Sequence, residues 1–247
     1  RTARALRAAN DKLTALSIQK DAFLSQISHE LRTPMTSIRS FSDILREGTM
    51  TDEEQERYAS IIHDEAVRLT RLLDDLLDLS VLENGQVELR EQTGELSDLL
   101  DRAVRAAGSH DGVLDVKRDR SEEQLRLVTD LDRLTQVFIN LIAKARKYCD
   151  AKKPVLHIKV HQHKGSYLVD FIDNGSGIAP ENQDLIFEKF SRVADGSKAG
   201  GAGLGLAICR EVMHRLGGDV SYLSLDSGTA FRVRLPQVTA AATLEET

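Results

Sequence analysis

The chain has 247 residues, of which 29 % are charged, 41 % apolar and 4 % aromatic, with a formal net charge of −6. That length allows one large domain or two modest ones with a real core, and the negative balance argues against non-specific nucleic-acid binding, which needs a basic surface. No apolar run reaches the ~18 residues of a membrane span, there is no signal peptide, and two cysteines, Cys149 and Cys209, are too few for a disulfide framework. The chain starts at Arg1 and not at Met, which suggests a piece of something longer, so the missing span says nothing about the parent protein.

In chain order, Leu6, Leu13 and Leu16 suggest an incoming coiled-coil segment over residues 1–20. Leu24, Ile27, Leu31, Ile38, Phe41 and Leu45 then fall on one helical stripe. Gly48 ends that helix, and Thr51-Asp52-Glu53-Glu54 opens a second with an N-cap and an acidic first turn. The second helix carries Tyr58, Ile62, Leu69, Leu72, Leu76, Leu79 and Leu82 inward, and Asn84-Gly85 is a plausible C-cap and hinge. Two such helices cannot bury both stripes alone, and dimerising into a four-helix bundle solves this most simply.

After Asn84-Gly85 glycine becomes frequent and the period changes. Helical patterns occupy Leu96–Ala107, Asp132–Cys149 and Leu204–Leu216. Strand-like runs are Gly112–Lys117, Gln124–Thr129, Val155–His163, Tyr167–Asp173, Asp219–Leu225 and Thr229–Leu235. This mixed order predicts an α/β sandwich with one sheet and helices on one face. Neither a GxxxxGK[ST] loop nor a GxGxxG after a strand is present, so the common nucleotide folds are not indicated. The fold class expected is therefore α plus α/β: a helical hairpin forming a dimeric four-helix bundle over residues 21–85, then the sandwich over 86–236. A disordered Ala/Thr/Glu-rich tail over 237–247 follows.

His29 stands about 200° around the helix from Ile27, so it should be solvent-exposed. Thr33 lies one turn on over the same face, and Glu30 is rotated toward the flank. Pro34 should bend the helix just past the histidine. An exposed imidazole with a neighbouring carboxylate is a good nucleophile, although an isolated His-Glu pair is more often a solvated surface pair. Phe23-Leu24-Ser25-Gln26-Ile27-Ser28-His29-Glu30-Leu31-Arg32-Thr33-Pro34-Met35 resembles the phosphoacceptor box of sensor histidine kinases. The resemblance implies that His29 takes the γ-phosphate of ATP on Nε2. It makes Glu30 the general base, and Thr33 the residue that orients water for dephosphorylating a response regulator.

Further segments agree with that family in order and spacing. Asp173-Asn174-Gly175-Ser176-Gly177-Ile178 follows a strand. A carboxylate at a strand end followed by glycines can hold an amino-purine edge, while alone it could be a tight turn. The resemblance makes Asp173 the adenine-recognition residue, with Gly175, Gly177 and Ile178 beside it. Ala199-Gly200-Gly201-Ala202-Gly203-Leu204-Gly205-Leu206 opens onto an apolar helix, where backbone N–H groups make a phosphate cradle. The polar stretch Val193–Lys198 before it would be an ATP lid. Ile186-Phe187-Glu188-Lys189-Phe190-Ser191-Arg192 resembles the family's F-box, with Phe190 anchoring the lid and Arg192 clamping phosphate or forming an exposed salt bridge. Ser227-Gly228-Thr229-Ala230-Phe231 matches the terminal glycine-threonine pattern. Together these resemble the Bergerat-type ATP-binding domain shared with Hsp90-type chaperones and MutL-type repair ATPases. A chaperone- or repair-type ATPase needs a water-activating glutamate where Asn140 stands.

The pattern departs at Asn140-Leu141-Ile142-Ala143-Lys144-Ala145-Arg146-Lys147-Tyr148, which resembles the family's N-box. Its usual form has asparagines at the first and fifth positions, and here the fifth is Lys144. Positions i and i+4 share one helix face, which in the family carries Mg²⁺ coordination and phosphate contacts. An ammonium offers only donors and cannot ligate a hard cation. Lys144 could contact phosphates in place of the metal's charge, swing to solvent beside a weakened Mg²⁺ site at Asn140, or mark an impaired kinase. Lys147 fits the phosphate-contacting lysine, with Tyr148 next to it.

The resemblance implies a histidine autokinase, with ATP and Mg²⁺ as cofactors. A homodimer, a response-regulator receiver domain and an upstream sensor domain outside this chain are the implied partners, and nucleic acid is not one. Lys144 leaves a kinase-impaired scaffold or response-regulator phosphatase as the alternative. The chain would be the cytoplasmic portion of a parent whose membrane anchoring the sequence leaves open. His157, His161 and His163 are a solvated strand face or, less simply, a surface metal site; His110 and Asp111 are loop.

Overall fold

The computed structural model describes residues 2–48, 50–85, 88–108, 113–163, 165–191 and 203–235, without the side chains of 2–9, 12, 16 and 19. The side chains of Leu6 and Leu16, together with Gly112, His110, Asp111, Arg192, the stretch Val193–Lys198, Gly200, Gly201 and the tail, therefore lie outside the described residues. The chain divides into two compact units, one ending at Leu76 and the other beginning at Leu77.

The first unit is built on α1 (Thr2–Glu47) and most of α2 (Asp52–Glu83). A reciprocal capping box starts α2. Glu54 N–H donates to Thr51 Oγ1 at 3.2 Å, and Thr51 N–H donates to Glu54 Oε2 at 3.0 Å. At this end Phe41 of α1 stacks on Tyr58 of α2 with ring centroids 5.4 Å apart. The apolar stripes are only partly covered: Leu24, Met35, Ile44 and Leu73 stay exposed. Pro34 is buried, and α1 remains helical through it to Glu47.

The second unit begins with the last two turns of α2, where Leu79 and Leu82 are buried. Gly85 N–H bonds Leu82 O at 3.3 Å and adopts φ 68°, as a helix C-cap requires. Then come β1 (Gln92–Glu95), α3 (Leu96–Ala106), β2 (Asp115–Arg118), β3 (Arg126–Thr129) and α4 (Leu131–Tyr148). They are followed by β4 (Val155–His163), β5 (Ser166–Asp173), a 3₁₀ turn at Pro180–Asn182, α5 (Gly205–Arg215), β6 (Asp219–Leu223) and β7 (Ala230–Arg234). Five strands form one sheet in the order β2-β4-β5-β7-β6, parallel between β2 and β4 and antiparallel elsewhere; β1 and β3 make a separate antiparallel pair. The mixed sheet with its helices is the α/β layer the sequence predicts. β1 was not among the expected strands, because Gln92-Thr93-Gly94-Glu95 has no apolar alternation and forms by pairing with β3.

The core lies between α3, α4, α5 and one sheet face. Leu156, Ile158 and Val160 of β4 face it, with Phe171 of β5 against Phe138 of α4 at 5.5 Å. Asp130 caps α4 by accepting from Arg133 N–H at 3.0 Å, and its other oxygen accepts Arg90 N–H at 3.0 Å. Under α3, Arg118 binds the fully buried Glu123 bidentately through the Nε and Nη2 of one guanidinium edge and donates from Nη1 to Asp101 at 2.7 Å. On the other sheet face His157, His161 and His163 are exposed. His161 sits beside the Asp170–Arg232 pair, whose two bonds are 2.7 Å each, and no metal-binding group of three is found among the described residues.

Candidate active site

His29 is exposed midway along α1, on the side the helical wheel assigns to it. Thr33 Oγ1 donates to the His29 carbonyl at 3.2 Å, so hydroxyl and imidazole belong to one turn. Glu30, expected on the flank, is only 7 % exposed. An imidazole in water with a carboxylate one residue away can act as a nucleophile.

In the second unit the chemistry gathers where β5 ends. Asp173 N–H bonds Thr229 O at 2.9 Å, joining the end of β5 to the loop before β7. Asp173 Oδ1 accepts the N–H groups of Gly175 at 2.9 Å and Thr229 at 3.2 Å, and the Thr229 hydroxyl adds a further bond. Burial pushes this carboxyl above the usual aspartate range, with the three bonds and Asp150 as smaller influences. A carboxylate has about four acceptor directions, so Asp173 keeps capacity for an amino group. The surrounding glycines make room for it. Gly177 has φ 85° and a Cβ there would come 3.0 Å from Gly228 O; one on Gly228, at φ 88°, would collide with the Asp173 carbonyl oxygen. Ile178 is half-buried beside them.

Asn174 stitches this loop to the end of α4. Its Oδ1 accepts Val155 N–H at 2.8 Å and faces Cys149 Sγ at 3.3 Å, while its Nδ2 donates to Lys153 O at 3.0 Å. Asp150 Oδ1 accepts Ser176 N–H at 2.8 Å. Sequence reasoning missed Cys149, Asp150 and Asn174 as positioning residues. Their signal was slight: one Asn and one Asp, the types that bond neighbouring backbone in loops.

The glycine-rich segment is described from Gly203 onward. Gly203 has φ 70°, and a Cβ there would lie 2.7 Å from Phe190 C and 2.8 Å from Ser191 O, so it packs directly on the F-box. Phe190 is buried at φ 59°, and Phe187 meets Phe231 edge-on at 6.2 Å. Leu204 precedes α5 without giving it a side-chain cap, Gly205 is its first residue, and Leu206 is buried. An uncapped helix start suits an anion. On α4, Asn140 and Lys144 are half-buried, while Lys147 and Tyr148 are exposed. Arg192 and Gly201 fall outside the described residues.

Residues 19–85 match the model of the His Kinase A (phospho-acceptor) domain, and residues 129–239 that of the histidine kinase-, DNA gyrase B- and HSP90-like ATPase. The chain belongs to the sensor histidine kinase family. It is 33 % identical over 223 residues to the sensor protein kinase WalK of Staphylococcus aureus, covering 88 % of this chain and 54 % of that one. It thus spans about half the length of the curated relative, and 37 % of another WalK chain. Histidine kinase AdeS of Acinetobacter baumannii superposes with a TM-score of 0.71 at 25 % identity, over 85 % of this chain and 98 % of that one. Histidine kinase ThkA, solved in complex with response regulator protein TrrA, shares the fold with a TM-score of 0.71 at 24 % identity, over 91 % of this chain and 64 % of that one. Among the described residues no helix is long and apolar enough to cross a membrane.

This member of the family departs from the expected metal chemistry. The α4 face offers one amide oxygen, on Asn140, and one turn on an ammonium, on Lys144. A hard cation requires oxygen ligands, and an adjacent positive charge repels it. The residues present do not fit a Mg²⁺ ion held across positions 140 and 144.

Proposed function

We propose that the chain is the kinase portion of a two-component sensor, and that it transfers the γ-phosphate of ATP to His29 and then to an aspartate of a response regulator. Residues 21–85 are read as the dimerisation and phosphoacceptor domain, 86–236 as the ATP-binding domain, and 1–20 as the incoming signalling helix. The observation that carries this reading is one chain holding both an exposed His29 in its phosphoacceptor sequence and the half-buried, glycine-flanked Asp173.

Each role follows from a chemical type. Asp173 accepts the adenine amino group, and Gly175, Gly177, Ile178 and Thr229 shape the base pocket. Gly201, Gly203, Leu204, Gly205 and Leu206 bring backbone N–H groups to the phosphates. Asn140, Lys144, Lys147 and Arg192 add polar or charged contacts there, Tyr148 lies against the two lysines, and Phe190 anchors the lid. Glu30 serves as the base toward His29, and Thr33 acts in dephosphorylating the regulator. Phosphoryl transfer depends mainly on positioning and charge neutralisation, which this set supplies. The apolar side chains left exposed on the hairpin support a homodimer. The parent protein would place this portion in the cytoplasm below a sensor domain.

Autophosphorylation with γ-labelled ATP tests the proposal in wild type, His29→Gln and Lys144→Asn. Label on wild type that disappears in His29→Gln supports the autokinase. Lys144 favours a second reading, a scaffold or response-regulator phosphatase with little phospho-His29. No label on wild type but label on Lys144→Asn would establish that reading instead.

A further inference from the structure

Two ammonium groups converge on one aromatic ring at the end of α4. Lys144 Nζ lies 4.7 Å from the Tyr148 ring centroid, and Lys147 Nζ lies 5.2 Å from it. The negative face of a phenol ring attracts each cation, but the two cations repel each other, and an anion between or beside them would relieve that repulsion. Lys144 does not extend into solvent: it is half-buried, and burial lowers the pKa of its ammonium. Helix α5 packs on α4 on the side that carries Lys144: Cys209 Sγ lies 3.9 Å from the carbonyl of Val137, two turns before Lys144 on the same face. That helix starts at Gly205 with no side-chain cap, at the end where anions bind.

Resting on the ATP-binding reading, we infer that Lys144 and Lys147 together occupy the charge-neutralising role of a divalent cation at the triphosphate, so that this chain binds ATP with little dependence on Mg²⁺. Two ammonium groups carry the charge of one divalent ion. Each donates hydrogen bonds to phosphate oxygens, and neither competes for the oxygen ligands a metal needs. The substitution of lysine for an amide then changes which form of the nucleotide is recognised. Metal-free ATP keeps its phosphate oxygens open to both ammonium groups, while the magnesium complex brings a cation toward Lys144.

Direct titration of ATP, in excess Mg²⁺ and in excess EDTA at matched ionic strength, tests this in wild type, Lys144→Asn and Lys144→Met. Wild type should show dissociation constants within about threefold of each other in the two buffers. Lys144→Asn should bind at least about tenfold more weakly in EDTA than in Mg²⁺. Lys144→Met, which keeps bulk and loses charge, should weaken most in EDTA. A wild type that loses about tenfold or more in EDTA, as Lys144→Asn does, overturns the inference while leaving the ATP-binding reading intact. No ATP binding by wild type in either buffer overturns that reading and the inference with it. Thermal unfolding of the three free proteins shows whether a variant's loss reflects misfolding, and Lys144→Asn, the family's own residue, should fold.

Discussion

Asp173→Asn changes one atom and, on the proposed reading, reverses the polarity of base recognition. The N–H groups of Gly175 and Thr229 both point at Oδ1. They force the new amide to place its oxygen there, because the opposite orientation sets donors against donors. Its NH₂ then replaces Oδ2 and faces the adenine amino group, also a donor. The lost bond to a charged acceptor costs about 1.5–3 kcal/mol and the unsatisfied donors about 1–3 kcal/mol more, so ATP affinity should fall roughly 10²- to 10⁴-fold. An inosine nucleotide, with an acceptor oxygen in place of the amino group, should lose far less. Isothermal titration with ATP and ITP measures both. Stability should move the other way. Burial raises the Asp173 pKa, so the folded state binds its proton more tightly than the unfolded chain does. The wild type therefore loses stability as pH rises from the ordinary aspartate pKa through the raised one, and the variant lacks that loss. Ligand-free Asp173→Asn should thus unfold no earlier than wild type at neutral pH, with its relative advantage shrinking under acid. ATP affinity within about threefold of wild type, or no relative gain for ITP, would refute the reasoning.

Two structural predictions test the frame around the site. Arg118→Met leaves Glu123 buried and unpaired, and should cost about 3–5 kcal/mol in chemical denaturation, whereas adding Glu123→Leu should recover much of that; a double variant as unstable as the single one would contradict this account. Gly228→Ala places a methyl group against the Asp173 carbonyl at φ 88°. The conformation alone costs about 1–2 kcal/mol, so both melting temperature and ATP affinity should fall, while an unchanged melting point would mean the two loops are not in contact.

The sequence exposed the periodic and the punctuated features of this chain. The α2 start was legible because Thr51 and Glu54 form a local box, and β4 because Leu156–His161 alternates apolar and polar residues. His29 was legible because a helical period fixes which side a residue occupies. Features that depend on distant partners were not. The pairing of β1 with β3 spans more than thirty residues of chain and has no local signal. Glu123 looks like a surface acid until Arg118, five residues earlier, is seen turned onto it. Asn174 and Asp150 act through backbone groups on another loop, which neither spacing nor composition encodes.

The last turns of α2 belong to the second compact unit. Asn84-Gly85 punctuates the chain and was the natural place for a pivot. The compact units part between Leu76 and Leu77, inside the helix. Beyond that point Asp78 binds Arg133 and Gln136 of α4 at 3.3 and 2.8 Å, Glu83 pairs with Lys189, and Arg215 of α5 donates to the Leu82 carbonyl at 2.6 Å. Leu79 and Leu82 are buried beneath these contacts. A rotation at Asn84-Gly85 would therefore have to break four polar contacts and expose two leucines, each worth about 1.5–3 kcal/mol of burial. Flexing the exposed stretch of α2 near Leu77, itself 64 % exposed, breaks none of them.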